Sequence, residues 1–305
     1  MKKNKVFKVT LISLIVILLV ADLGGAGYLF KFAFQRGEYS SRKITTPIKG
    51  DNKWFANQKQ QIWTETNKDG LKLKARYLSA AKKTNKTVIV IHGYNSASKY
   101  MGDYVKPFHD AGYNVLAPDN RSFGMSQGKF VGYGWADRHD IMQWMQKINQ
   151  HNGKNSQIGL YGLSMGASEV MYTLGEHPKN VKFAIADCGY ASISGELNYQ
   201  INAMFHLPSF PLVPTASIYS KMFAGYNFYD ADTKNTLKHN KVPLYVIQGS
   251  NDKYVPTKNA KINYDNDKGA NKQLWIVKGA GHAQSIKYAP GKYQRNITAF
   301  AHKYL

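Results

Sequence analysis

Tyr161-Gly162-Leu163-Ser164-Met165-Gly166 is the stretch that decides how this chain is read. The serine sits between two glycines in a G-x-S-x-G pattern. Before it, Gln157 to Tyr161 is a short apolar run that suits a buried strand. After it, Met165 to His177 carries a helical pattern closed by Pro178. A strand that turns at once into a helix crowds its own backbone, so Gly162 and Gly166 stand where a Cβ would clash. Such a turn strains the serine backbone and pushes its hydroxyl outward.

An alcohol is a poor nucleophile near neutral pH. It needs a base to take its proton and a third group to orient that base. Downstream, Val242 to Ile247 is a strand pattern, and Asp252 lies in the loop after it. Leu274 to Val277 is another strand pattern, followed by Gly279-Ala280-Gly281-His282-Ala283. Asp252 and His282 are therefore the candidate acid and base. Each has a plainer reading. An aspartate side chain can simply form a turn, and Asp187, after Phe183 to Ala186, is a rival acid read here as shaping the site floor. His282 can be an ordinary loop histidine, yet none of the other eight sits at a strand end downstream of the acid.

An acyl-transfer intermediate carries an oxyanion that needs preorganised donors. The N–H of Met165, directly after the serine, is one candidate. The second is the N–H of Tyr94, in the loop His92-Gly93-Tyr94-Asn95-Ser96 that follows the strand pattern Thr87 to Ile91. His92 precedes the serine on a different loop and reads as a loop brace.

With these residues in place, the chain resembles the α/β-hydrolase superfamily of serine hydrolases. It looks most like the membrane-anchored cell surface hydrolases of Gram-positive bacteria, relatives of prolyl-oligopeptidase-like and esterase-like members. The matching motifs are His92-Gly93-Tyr94, Asp119 to Ser126, Gly134 to Arg138, Gly162 to Gly166, Gly249 to Asp252 and Gly281-His282. One departure is Ser122, where many relatives carry glycine in D-x-R-G-x-G-x-S. The chain order Ser, Asp, His fits the superfamily. The resemblance implies an eight-stranded, mostly parallel sheet flanked by helices, with a helical lid between strands 6 and 7.

The remaining pattern agrees. Gln61 to Thr66 and Leu71 to Leu78 flank Asn67-Lys68-Asp69-Gly70, a hairpin signal for antiparallel opening strands. Strands then alternate with helices, which implies a parallel sheet. Tyr100 to Ala111, Trp135 to His151 and Tyr293 to Tyr304 read as helices. Ile141, Trp144, Met145 and Ile148 share one helix face as core. The stretch from about 190 to 240 breaks the rhythm. It carries Phe205, Phe210, Phe223 and Phe228 among three prolines, and Ile218/Met222 and Tyr219/Phe223 pair at helical spacing. This is the expected lid.

The N-terminus speaks to location. Lys2, Lys3, Lys5 and Lys8 precede thirteen uncharged residues, Val9 to Ala21. Asp22 interrupts, and apolar character resumes to Phe34. Val9 to Phe30 gives 22 residues, enough to span a bilayer. Residues 1–34 are expected to be an uncleaved signal anchor, with the N-terminus cytoplasmic and the catalytic domain outside. Secretion after cleavage near Gly24-Gly25-Ala26 is the alternative. Residues 35–58, with Arg42, Lys43 and Pro47, read as a polar connector, and 59–305 as the hydrolase domain.

The 305 residues carry a formal charge of +22 and are 43% hydrophobic, which suits one large folded domain plus an anchor. The basic balance fits anionic wall polymers or lipid headgroups as partners, an anionic substrate, or solubility. Lysines are scattered without stacking aromatics, which argues against nucleic-acid binding. Cys188 is the single cysteine, so no intrachain disulfide forms. No metal or organic cofactor is implied. The expected chemistry is carboxylesterase action on small or medium acyl esters. A serine peptidase, an acyl-aminopeptidase-like enzyme or an acyltransferase shares the same intermediate. A non-catalytic surface-binding protein is the alternative of another class.

Overall fold

The opening hairpin forms as its turn signal requires. The computed structural model describes residues 2–36 and 50–305; Arg42, Lys43 and Pro47 of the expected connector lie outside them. In chain order the elements are α1 (Lys2–Phe34), α2 (Asp51–Ala56), β1 (Gln61–Thr66), β2 (Lys72–Leu78), β3 (Lys86–Ile91), α3 (Gly102–Asp110), β4 (Asn114–Asp119), α4 (Asp137–Asn152), β5 (Gln157–Leu163) and α5 (Met165–Leu174). Then come β6 (Val181–Asp187), α6 (Ile193–Phe205), α7 (Leu212–Phe223), α8 (Thr233–Thr236), β7 (Leu244–Gly249), α9 (Lys258–Asn266), β8 (Lys272–Val277), α10 (Ser285–Tyr288) and α11 (Pro290–Tyr304).

The eight strands lie in the order β1-β2-β4-β3-β5-β6-β7-β8. β1 and β2 are antiparallel to their neighbours, with Gln61 opposite Tyr77 and Lys74 opposite Asp119. From β4 to β8 every pairing is parallel. Parallel strands need crossovers, and the intervening helices supply them while covering both faces. On one face Ile141, Trp144, Met145 and Ile148 of α4 pack with Val170 and Met171 of α5. On the other, Val105 and Phe108 of α3 meet Tyr293, Ile297 and Phe300 of α11. The central strands are buried on both sides, which is why β3, β5 and β6 read as continuous apolar runs.

Helix ends differ from the sequence reading at turns. α5 stops at Leu174, three residues before His177, because Gly175 ends the pattern earlier than Pro178. The segment read as connector is structured where it is described. α2 packs its fully buried Phe55 against the α3 face, and Gly102 donates its N–H to Asn52 Oδ1 at 2.7 Å. At the other end, Gln35 bridges to Phe130, and Arg36 N–H donates to Lys129 O at 2.7 Å.

The motif Asp119 to Ser126 forms a loop held by charge. Arg121 forks onto Asp140 at 2.8 and 2.9 Å and reaches Asp69 at 2.8 Å. Ser122 has a left-handed φ of 71°, which explains the glycine common in its place. Its hydroxyl compensates by donating to Phe130 O at 2.7 Å.

A third apolar cluster lies off the sheet. Ala26, Phe30 and Phe34 of α1 pack with Val213 and Ala216 of α7 and with Phe228. α1 is thus two things along one axis. Val6 to Val20 presents its side chains outward, whereas Ala26, Phe30 and Phe34 are buried against the domain. The stretch Asn4–Phe34 is long and apolar enough to cross a membrane, its 18-residue apolar window having a mean hydropathy of 2.5.

Candidate active site

β5 ends at Leu163, and the chain turns directly into α5. Ser164 holds φ 56° and ψ −117°, a conformation costing about 1–3 kcal/mol for a non-glycine residue. The crowding read from the sequence is real. A Cβ on Gly162 would lie 2.1 Å from Gly166 O, and one on Gly166 would lie 2.5 Å from Ile91 O. The Ser164 N–H donates to Asp187 O at 2.8 Å, which secures the turn to β6.

The structure brings the three sequence candidates together. Ser164 Oγ lies 2.8 Å from His282 Nε2, and His282 Nδ1 lies 2.8 Å from Asp252 Oδ2. This network favours the neutral imidazole with its proton on Nδ1, leaving Nε2 to accept from the serine. Asp252 is held by three further donors. Its Oδ2 accepts from Gln248 Nε2 at 2.7 Å, and its Oδ1 accepts from the N–H groups of Tyr254 and Val255, each at 2.9 Å. The acid and base loops are tied together by Asn251 N–H donating to Ala280 O at 2.9 Å.

Met165 is the first residue of α5, where the N–H has no intrahelical acceptor. Across from it, the Cα of Gly93 faces the serine so closely that a Cβ would lie 3.2 Å from Ser164 Cβ. Tyr94 follows Gly93 and lines the same cavity as Ser164 and Met165. Tyr94 and Met165, the two residues expected to supply oxyanion donors, thus line one cavity with the serine.

The comparisons with known proteins bear on the fold and find hydrolases. The family model described as serine aminopeptidase, S33 matches residues 82–209. A curated relative, the uncharacterized protein YqkD of Bacillus subtilis (strain 168), is 29% identical over 225 residues, 73% of each chain. The esterase Pf2001 of Pyrococcus furiosus is 25% identical, with 82% of this chain and 95% of that one covered at a TM-score of 0.66. Est1E from Butyrivibrio proteoclasticus, solved with ferulic acid bound, is 15% identical over 79% of this chain and 98% of its own, at a TM-score of 0.62. This last likeness is one of fold alone. The chain has the α/β-hydrolase fold.

Within this fold, the rival groups occupy other places. Asp187 is fully buried behind the serine, accepting from Tyr293 Oη at 2.7 Å and from Ser285 Oγ at 3.4 Å. Burial pushes its carboxyl up to about 6, partly offset by those hydroxyls. His92 is also fully buried. Its Nδ1–H donates to Gly93 O at 2.7 Å and its Nε2 accepts from Asn120 N–H at 3.1 Å, bracing two loops. Burial lowers its pKa and keeps it neutral. Cys188 is buried with its sulfur within 4.8 Å of the Asp252 and His282 ligand atoms, and burial raises its thiol. Of those partners, Asp252 and His282 are hydrogen-bonded to each other, and His282 to Ser164.

The serine opens into a cavity of about 430 Å³. Its lining is mostly apolar, with Ile201 and Met204 of α6, Val213 and Ala216 of α7, and Phe228. Glu196 is the acidic exception. Its Oε1 accepts from Gln200 at 2.7 Å, Oε2 has no partner among the described residues, and burial pushes the carboxyl up to about 7. The sequence reading missed a whole wall. Leu29, Phe30, Phe32, Ala33 and Phe34 of α1 line the cavity beside Ser164. The signal was available: three phenylalanines at alternate positions after Asp22 are more than a spanning helix needs.

Proposed function

We propose that this α/β hydrolase is a serine carboxylesterase working through an acyl-enzyme. The observation that carries the reading is the unbroken relay Ser164–His282–Asp252, with 2.8 Å at each link. Ser164 Oγ attacks the ester carbonyl carbon as its proton passes to His282 Nε2. Asp252 keeps the imidazole oriented and stabilises the imidazolium. The N–H groups of Tyr94 and Met165 receive the oxyanion, each donor of this type being worth about 2.7–4 kcal/mol in the transition state. The intermediate expels the alcohol, which takes the proton from His282. Water then attacks the acyl-serine and gives its proton to His282; the second intermediate collapses, His282 returns that proton to Ser164 Oγ, and the acid leaves. The helices between β6 and β7 act as a lid that keeps water from the acyl chain.

One observation favours a second reading. The matching family model is described as a serine aminopeptidase, and amide cleavage shares the intermediate. Nothing found supports a purely binding role. The span of α1, preceded by lysines, supports a single-pass membrane protein with the hydrolase outside. The basic surface supports contact with anionic wall polymers or headgroups.

The test is turnover of p-nitrophenyl esters and aminoacyl p-nitroanilides by the full-length chain in detergent, with Ser164→Ala as control. Ester turnover falling by about 10⁶-fold in the variant is expected, together with fluorophosphonate labelling of the wild type alone. A pure variant that keeps most of its activity overturns the assignment. Faster cleavage of the anilides moves it to the peptidase.

A further inference from the structure

The membrane helix is part of the catalytic pocket. Its last two turns stand in the cavity wall next to the serine, and they are not loosely tethered. Tyr219 Oη donates to Leu23 O at 3.1 Å, Thr215 Oγ1 donates to Asp22 Oδ2 at 2.6 Å, and Tyr94 Oη donates to Ala33 O at 2.8 Å. Val131 N–H donates to Phe34 O at 2.7 Å, which pins the helix end to the rim loop.

This attachment fixes the height of the site above a bilayer. From Asn4 to Asp22 the helix rises about 27 Å, close to the thickness of the hydrocarbon core. Asp22 then lies at the outer boundary, paired with α7. Leu29 to Phe34 lie about 10–18 Å further along the axis, just above the headgroups.

At that boundary the inserted helices expose an apolar collar. The start of α7 lies against α1 just past Asp22, since a Cβ on Gly25 would lie 3.2 Å from Leu212 Cδ2. Leu207, Phe210, Ile218 and Met222 are all exposed on this insertion, Phe210 at 76%. The pairs read from the sequence divide the work. Tyr219 and Phe223 meet Phe30 of α1 in tilted ring contacts at 6.3 and 6.1 Å, and Ile218 and Met222 are exposed. The cavity lining on α6 ends at Met204 and Phe205, just before Leu207 along the chain, with Phe205 edge-on to Phe32 at 6.1 Å.

We propose that the collar seats in the outer leaflet and that the pocket takes lipid acyl esters directly from that leaflet, along a path walled by the anchor helix. The occupant of the collar is the bilayer itself, because the collar is continuous with a span that already lies in it. The acyl chain rises between α1, α6 and α7, and the ester carbonyl meets Ser164. This inference rests on the serine esterase reading and names its substrate class.

The experiment uses the full-length chain in vesicles of phosphatidylglycerol and phosphatidylethanolamine. Two esters with one leaving group are compared: p-nitrophenyl acetate from water and p-nitrophenyl palmitate within the bilayer. The variant is Leu207→Ser, Phe210→Ser, Met222→Gln, none of which lines the cavity. Wild type is expected to turn over both esters. The variant is expected to keep acetate turnover and to lose palmitate turnover by about tenfold or more. Equal palmitate turnover by variant and wild type overturns the proposal. So does a wild type that cleaves acetate but not bilayer-borne palmitate, and in that case the esterase reading stands. Failure on both esters, with no fluorophosphonate labelling of Ser164, removes the esterase reading and the proposal with it.

Discussion

Ser164 shows how one residue records a whole local geometry. Its positive φ is held by Asp187 O behind it and by two glycines that let strand, turn and helix interpenetrate. Because those constraints are short-range, the G-x-S-x-G pattern made the turn legible in the sequence. Glu196 was not legible in this way. Nothing in its neighbours along the chain marks it as buried; only the approach of α6 to the cavity does. Its raised carboxyl has a thermodynamic consequence. The folded chain holds a proton that the unfolded chain releases between pH 4.5 and about 7. Stability therefore falls as pH rises through that window and stays reduced above it. Glu196→Gln keeps the acceptor for Gln200 and removes the charge. Thermal unfolding should give matching midpoints near pH 4.5 and a variant more stable by about 1–3 kcal/mol at pH 8. A gain at pH 8 no larger than at pH 4.5 contradicts the burial of an ionising Glu196.

At the scale of elements, the parallel core was readable because its strands are buried on both faces and bounded by Gly and Pro. α2 was not. Its six residues, Asp51–Ala56, are too short for periodicity, and their helix depends on Phe55 finding a cavity under α3. The double role of α1 was hidden for a similar reason. Apolar residues that enter lipid and apolar residues that enter a protein core look alike in sequence. The structure separates them, with Val20 at 64% exposure and Phe30 at 5%. Truncation to 35–305 removes Ala26, Phe30 and Phe34 from the third cluster, and each buried phenylalanine is worth about 1.5–3 kcal/mol. Such a chain should unfold at lower urea than one beginning at residue 22, when both are measured in the same detergent. Equal midpoints would mean that α1 contributes nothing to the fold.

At the scale of the molecule, charge and apolar surface are spread differently. Nine of the lysines and arginines fall in the first 49 residues against two acids, and the remaining excess is scattered over the hydrolase domain. Apolar exposure is concentrated instead, at the span and the collar. A surface of that kind suits a domain resting on an anionic sheet, where long-range attraction sets the approach and local burial sets the pose.

The hydrogen bond from Tyr94 Oη to Ala33 O joins the last turn of α1 to the loop carrying a proposed oxyanion donor. Spanning helices meet a thicker or thinner bilayer by changing their tilt. On the proposed topology a change of tilt would lever that loop, which would make lipid thickness an input to the proposed catalytic geometry. Acetate turnover should vary with the acyl length of the host phospholipid in wild type, and Tyr94→Phe should flatten that dependence. A dependence unchanged in Tyr94→Phe would break the link. With the link in place, the enzyme acts as a gauge, its rate reporting the thickness of the bilayer that holds it.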